Sequence, residues 1–316
     1  MVIQKTSLKG NSITSFDSFS IPQIEAIFAN VSKMRRLVEA KKFGRDLEGQ
    51  ILALLFFEPS SRTFSSFATA VKRLGGQTIE YQNPTQTSSS AKGESLEDTI
   101  RTFETYTDGI IMRHFLPGAP KIASEVSKKP IINAGDGTGE HPTQALLDLY
   151  TIKEKHGRLH NLNGLIVGDL LNGRTVHSLL RGFSLFKNNT IYLLSPKSLR
   201  LKKEDLDEFG KRGLTLIEIK NISQIPKNAH FWYWTRVQKE RFSNLKEYEK
   251  VKTKFVLDKD LALKYASKDT IFMHPLPRVG EISQDLDSDP RAYYLHKQMR
   301  NGLFVRMALL SLIFKK

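Results

Sequence analysis

Short apolar runs alternate along the chain with longer stretches of helical periodicity. In the first half, runs at 51–57, 77–81, 109–113 and 130–133 read as strands. In the second half, 164–169, 190–194, 214–217, 229–233 and 270–273 do the same. Strands separated by helix-length segments predict parallel sheets covered on both faces. Two such sets predict an α/β protein of two doubly wound parallel-sheet domains of similar size, joined by two interdomain helices. The expected division is 1–140, completed by a C-terminal helix at about 293–316, and 141–292.

Local signals mark several element ends. Ser20 followed by Ile21 and Pro22 opens a first amphipathic helix, since proline is tolerated in the first turn. Ser95 with Asp98 reads as a capping box opening a helix over 96–106. The turn-rich AGDGTG at 134–139 precedes a helical stretch over 141–155 carrying Leu146, Leu147 and Leu149, read as the bridge between domains. The last helix, about 293–314, is apolar on one side and returns to the first domain. The apolar stretch at 302–314 within it is interrupted by Arg306 and is too short to span a bilayer. Residues 82–95 are polar and poor in regular signal, so they read as an exposed loop that can carry function.

Composition narrows the chemistry. The 316 residues are 40% hydrophobic and 26% charged, a globular balance. The absence of cysteine excludes a disulfide framework, a thiolate zinc site and a cysteine nucleophile, and suits a reducing cytosol. The first residues lack an apolar core of signal-peptide length, so a cytoplasmic protein is expected. A net charge of +15 is compatible with nucleic acid, anionic substrates or a general lysine-rich surface. The lysines are scattered and form no basic stripe with interleaved aromatics, which favours the general surface.

The sharpest local feature is the strand, turn and helix at 51–76. Ser60, Ser61, Arg62 and Thr63 fall where the helix begins, among unpaired amide groups and the positive end of the helix dipole. Hydroxyls and a guanidinium there make a place for a phosphate-like anion. The two serines alone fit a helix cap better; Arg62 and Thr63 beside them tip the reading towards an anion site. Neither GxxxxGK[ST] nor GxGxxG is present, so no nucleotide loop is indicated.

FFEPSSRT at 56–63 resembles the carbamoyl-phosphate motif of the aspartate/ornithine carbamoyltransferase family. KGESLEDT (92–99), GIIMRH (109–114), NAGDGTGEHPTQALLDLY (133–150), VGDLLNGRTVHSLL (167–180), TRVQKERF (235–242) and MHPLPRVGEI (273–282) follow in that family's order. Two segments point to the aspartate branch. Pro275 stands where ornithine-type members usually carry cysteine, and RVQKER resembles the aspartate type. The resemblance implies transfer of the carbamoyl group of carbamoyl phosphate to the amino group of L-aspartate, an early step of pyrimidine biosynthesis, with no metal or cofactor.

The same resemblance assigns roles. Ser60, Ser61, Arg62 and Thr63 hold the phosphate, with Ser88 contributing from the polar loop. Arg113 touches phosphate and the carbonyl oxygen. His141 donates to that oxygen as a neutral ring, and Gln144, three residues on and on the same helix face, binds the carbamoyl NH2. Pro275, Leu276 and Pro277 offer backbone carbonyls, with a cis peptide before Pro277. Lys92, Arg174, Arg236 and Gln238 bind aspartate, where the planar guanidinium suits a carboxylate. Arg62, Thr63, Lys92, Arg113 and His141 form the catalytic set. Glu58 and Arg241 are implied as an ion pair between domains. Family members are homotrimers in which the loop with Ser88 and Lys92 reaches a neighbouring subunit's site, with or without a separate regulatory chain. Without the resemblance, Arg113 reads equally as a strand-end surface residue, His141 as a helix-start histidine and Lys92 as a solvated lysine.

Two other readings stay open at this level. One is a sister carbamoyltransferase with another amine acceptor, the choice resting on Arg236 and Gln238. The other is a non-catalytic basic protein that binds nucleic acid, which predicts strongly salt-dependent binding. The first reading expects neither nucleic acid nor membrane as partner.

Overall fold

The computed structural model describes residues 7–82, 93–239, 242, 244–252 and 254–315. The chain divides into two compact units. Unit 1 is Met1–Leu147 with Arg300–Lys316, and unit 2 is Asp148–Met299.

In unit 1 the strands are β1 (Ile51–Phe56), β2 (Gln77–Gln82), β3 (Gly109–His114) and β4 (Ile131–Asp136). The helices are α1 (Ile21–Glu39), α2 (Ser61–Arg73), α3 (Leu96–Tyr106) and α4 (Ala119–Val126). All strand pairs are parallel, in the order β2-β1-β3-β4. The chain moves outward to β2, then crosses back over β1 to β3. With right-handed crossovers, that reversal places connecting helices on opposite faces, the doubly wound arrangement. β3 and β4 are buried along their whole length, as expected of central strands written as continuous apolar runs. β2, at the sheet edge, is mostly exposed. Ala53, Leu55, Ile110 and Met112 pack with Ile100 of α3 and Ala119 and Ala123 of α4.

Unit 2 holds β5 (Asn163–Val167), β6 (Thr190–Leu194), β7 (Thr215–Ile219), β8 (Phe231–Trp234) and β9 (Ile271–Met273), all parallel in the order β7-β6-β5-β8-β9. Here the direction reverses between β5 and β8. Trp232, Trp234 and Phe272 form the aromatic centre of one core, with Leu165, Val167 and Tyr294. Helices α6 (Arg174–Ser184), α7 (Lys203–Lys211), α8 (Leu245–Val251), α9 (Lys259–Tyr265) and α10 (Tyr293–His296) belong to this unit.

Helices α5 (Pro142–His156) and α11 (Gln298–Phe314) each contain a unit boundary, so the chain passes between units twice within helices. The inner boundary, after Leu147, falls inside α5 rather than before it at residue 140.

Some ends differ from the sequence reading. β5 stops at Val167 instead of continuing to Asp169, because Gly168 has φ +119° and turns the chain. β4 runs on through AGD, which reads as turn in isolation but is buried throughout. The final helix is two helices separated at Lys297. From Phe304 to Leu310 every residue of α11 is buried, including Arg306, so this helix is covered all round. Arg306 donates to Ser66 Oγ at 3.0 Å and lies over the Phe67 ring. At α3, Ser95 accepts the Asp98 N–H at 3.1 Å, but the Asp98 carboxylate turns to Arg101 at 2.9 Å.

Candidate active site

Ligands of open parallel sheets gather beyond the carboxyl ends of strands where strand order reverses. Unit 1 reverses between β1 and β3. The segment after β1 is EPSSRT, and Arg113 lies at the end of β3. Unit 2 reverses between β5 and β8. The segments that follow them are GDLLNGR and TRVQ. Ser60–Thr63 and Arg113 in unit 1, and Arg174, Arg236 and Gln238 in unit 2, therefore follow or end the strands between which the order reverses.

Ser60 takes the N-cap position of α2, yet its side chain makes no cap bond. Its hydroxyl and the first amides of α2 are thus not spent on each other. Ser61 and Arg62 are exposed on this first turn, and Thr63 is buried. Thr63 Oγ1 lies 3.4 Å from His141 Nε2, which brings the start of α2 to the start of α5. Two helix N-termini therefore present their positive ends to one neighbourhood.

His141 is held by the loop before it. Asp136 accepts N–H bonds from Gly118 at 2.6 Å and Glu140 at 2.7 Å, and Glu140 accepts the Phe16 N–H at 2.8 Å. Gln144 N–H then bonds to His141 C=O at 2.9 Å as α5 begins. Arg113, 7% exposed, donates to Ala134 C=O at 3.3 Å and forms an ion pair with Glu58. Glu58 was expected opposite Arg241, which lies outside the described residues, as do Ser88 and Lys92.

In unit 2 the loops after β5 and β8 are locked together. Thr235 N–H bonds to Val167 C=O at 2.8 Å, and Asp169 N–H bonds to Thr235 Oγ1 at 3.1 Å. Gly168 is obligatory there, since an added Cβ would stand 2.2 Å from Thr235 O. Gln238 Nε2 donates to Asn172 C=O at 3.0 Å, two residues before Arg174 opens α6. Asn172 is in turn held by Asp169, through its N–H at 2.9 Å. Burial pushes the Asp169 carboxyl up, against the bonds from Asn172. Arg174, Arg236 and Gln238 are all half-buried.

Pro275, Leu276 and Pro277 follow β9. The Leu276–Pro277 peptide is cis, and Leu276 adopts φ +57°. Arg236 is near enough to His274 for its charge to help lower that ring's pKa, after the larger effect of burial.

The sequence reading missed the residues that hold these groups. Asp169, Asn172 and Thr235 fix the second-unit loops, and His274 with Glu281 holds the 275–277 turn. The available signal was polar residues inside otherwise buried motifs, which need partners.

Known proteins resemble this chain over almost its whole length. A model for the "Aspartate/ornithine carbamoyltransferase, carbamoyl-P binding domain" matches residues 11–154, and one for the "Asp/Orn binding domain" of the same family matches 160–313. The chain is 48% identical over 312 residues to the multifunctional protein pyr1-3 of Dictyostelium discoideum. That match covers 99% of this chain but 14% of that much longer protein. It is 44% identical over 304 residues to the aspartate carbamoyltransferase catalytic subunit of Methanobrevibacter smithii, covering 96% and 95% of the two chains. Among solved structures, aspartate transcarbamoylase from Trypanosoma cruzi in complex with carbamoyl phosphate and aspartate superimposes with TM-score 0.88 at 39% identity, covering 97% of this chain and 98% of that one. The chain belongs to the aspartate/ornithine carbamoyltransferase family.

Proposed function

We propose that this protein transfers the carbamoyl group of carbamoyl phosphate to the amino group of L-aspartate, releasing N-carbamoyl-L-aspartate and phosphate. The amine attacks the carbonyl carbon, the carbon–oxygen bond to phosphate breaks, and the amine loses a proton. The electrophile is already an activated mixed anhydride. The protein's task is to orient two anions and stabilise charge on the carbonyl oxygen and the departing phosphate.

The roles are those that the family resemblance implies, and the chemistry of each side chain supports them. Ser60, Ser61, Arg62 and Thr63 take the phosphate, using hydroxyls, a guanidinium and helix-start amides. Arg113 and His141 donate to the carbonyl oxygen, and Gln144 accepts from the carbamoyl NH2. Pro275, Leu276 and Pro277 supply carbonyls to that NH2 and to the amine. Arg174, Arg236 and Gln238 hold the aspartate carboxylates, with Lys92. The first unit is thereby a carbamoyl-phosphate-binding domain and the second an aspartate-binding domain. The chain works in the cytoplasm, in pyrimidine synthesis, as a homotrimer in which Ser88 and Lys92 serve a neighbour's site.

The observation that carries this reading is the uncapped start of α2 at the strand-order reversal, with Thr63 against His141. The aspartate preference is supported by two arginines and a glutamine after β5 and β8, since a cationic acceptor would call for carboxylates there. The test is one assay of the purified protein with carbamoyl phosphate and, in turn, aspartate, ornithine and putrescine. Turnover with aspartate alone is expected; turnover only with another amine overturns the choice. Co-assembled Arg62→Ala and Lys92→Ala chains should regain activity that neither variant has alone. Confirmed mixed trimers without recovery would contradict shared sites.

A further inference from the structure

Leu276 is one of few non-glycine residues held at positive φ, at +57°. For a residue with a Cβ that conformation costs on the order of 1–2 kcal/mol, so its surroundings must impose it. The group that does so is His274. Its Nδ1 accepts the Leu276 N–H at 2.7 Å. Because Nδ1 accepts, the ring proton of the neutral imidazole sits on Nε2. Nε2 faces Glu281 Oε1 at 2.7 Å, so the carboxylate stands against the protonated side of the ring. Glu281 Oε2 also accepts the Val279 N–H at 3.0 Å, tying down the far side of the turn.

The pair is anchored from behind. The His274 N–H donates to Gln298 Oε1 at 2.9 Å, and Gln298 Nε2 donates to Asp148 Oδ1 at 2.6 Å. Asp148 Oδ2 accepts the Tyr233 hydroxyl at 2.8 Å. His274, Glu281 and Gln298 are at most 4% exposed. Buried polar groups linked in this way are costly to assemble and restrain the geometry of what they hold. A core needing only stability would fill these positions with apolar side chains. At its His274 end the chain meets the backbone of residues 275–277.

We propose that His274 and Glu281 are positioning residues for carbamoyl transfer. The carboxylate fixes the ring tautomer, and the ring clamps the Leu276 amide so that the carbonyls of 275–277 meet the carbamoyl NH2 and the attacking amine. This rests on the role given to those carbonyls above. Burial lowers the His274 pKa, in keeping with a neutral ring.

The test compares His274→Leu, which removes the acceptor, with His274→Asn, whose amide oxygen can stand near the lost Nδ1. Loss of positioning should reduce kcat of His274→Leu about a hundredfold while the aspartate KM moves less than about threefold. Joining a phosphonoacetyl group to aspartate nitrogen gives a mimic with the phosphonate and both carboxylates but no carbamoyl NH2. Its Kd should weaken less than about tenfold in His274→Leu, and His274→Asn should recover at least about tenfold in kcat. Ring nitrogen NMR of the wild-type protein, assigned by the signal absent in His274→Asn, should show the proton on Nε2. The proposal is overturned by a proton on Nδ1. It is also overturned if His274→Leu keeps wild-type kcat, or if both variants lose kcat and mimic binding in parallel. Wild-type protein inactive with carbamoyl phosphate and aspartate would sink the underlying reading instead.

Discussion

Thr63 Oγ1 stands 3.4 Å from His141 Nε2, joining the first turn of one helix to the residue that precedes another. Both groups are buried, and each belongs to a segment following a strand end. In the proposed reaction this hydroxyl sits between the phosphate held by α2 and the ring that donates to the carbonyl oxygen. Thr63→Val keeps the shape and removes the hydroxyl, so kcat should fall about a hundredfold, the scale of a lost oxyanion donor. Thr63→Ser should stay within about tenfold of wild type. Steady-state kinetics of the two variants checks this; equal loss in both would assign the residue to packing.

Arg62 and Arg113 should separate activity from stability. Arg62 is exposed, whereas Arg113 is buried and paired with Glu58. Arg62→Ala should lower kcat/KM sharply and leave the melting temperature unchanged. Arg113→Ala should lower both, since it removes the guanidinium paired with the three-quarters-buried Glu58 side chain, at a cost of about 2–3 kcal/mol. Calorimetry beside kinetics distinguishes the two.

Gly168 offers a test of the locked loops in unit 2. It has φ +119°, and a Cβ would meet Thr235 O at 2.2 Å. Gly168→Ala should destabilise the protein by about 2–4 kcal/mol. The loops carrying Arg174 and Gln238 would also move apart, so the aspartate KM should rise more than the carbamoyl phosphate KM. Urea unfolding and two-substrate kinetics read both effects.

Acid should weaken the fold through its histidines. Burial holds His114, His156, His230 and His274 below the ordinary value, His156 to about 4 from 6.5. The unfolded chain therefore binds protons that the native state refuses, and stability falls as pH drops from about 6.5 towards 4. Burial pushes Glu281 up, but the bond from His274 outweighs it and leaves the carboxyl low. Its contribution is present above 4.5 and is lost at lower pH. Trp232 and Trp234, the two tryptophans, lie in β8 within the unit that holds His156, His230 and His274, so their fluorescence reports its unfolding. The urea midpoint should fall from about pH 7 to about pH 5, and His156→Gln should show a smaller fall. An unchanged slope in that variant would show that His156 contributes nothing.

The central strands were legible because they are buried on both faces and written as unbroken apolar runs. β1 with its ILALLF is the plainest case. The candidate anion residues stood out in the sequence because a helix start concentrates hydroxyls and a guanidinium in four consecutive positions, Ser60 to Thr63. Ends were harder to read. Gly168 stops β5 by a backbone turn that hydrophobicity does not record, while AGD looks like turn but is carried inside β4 by burial. The Gln298–Asp148 link was invisible because its partners stand 150 residues apart in the chain. His274 and Glu281 lie in one motif, MHPLPRVGEI, but their contact depends on the turn at 275–277, which no hydrophobic pattern records.

In the proposed reaction, helix-start amides and guanidinium groups bind two anionic substrates for direct carbamoyl exchange. Calorimetric titration of the phosphonoacetyl-aspartate mimic into the wild-type protein and into Arg62→Ala and Arg236→Ala measures that binding. Saturable binding to wild type is expected, weakened about ten- to a hundredfold in each variant, the scale of a lost charged hydrogen bond. No binding to the folded wild type, or equal affinity in all three, would contradict the account.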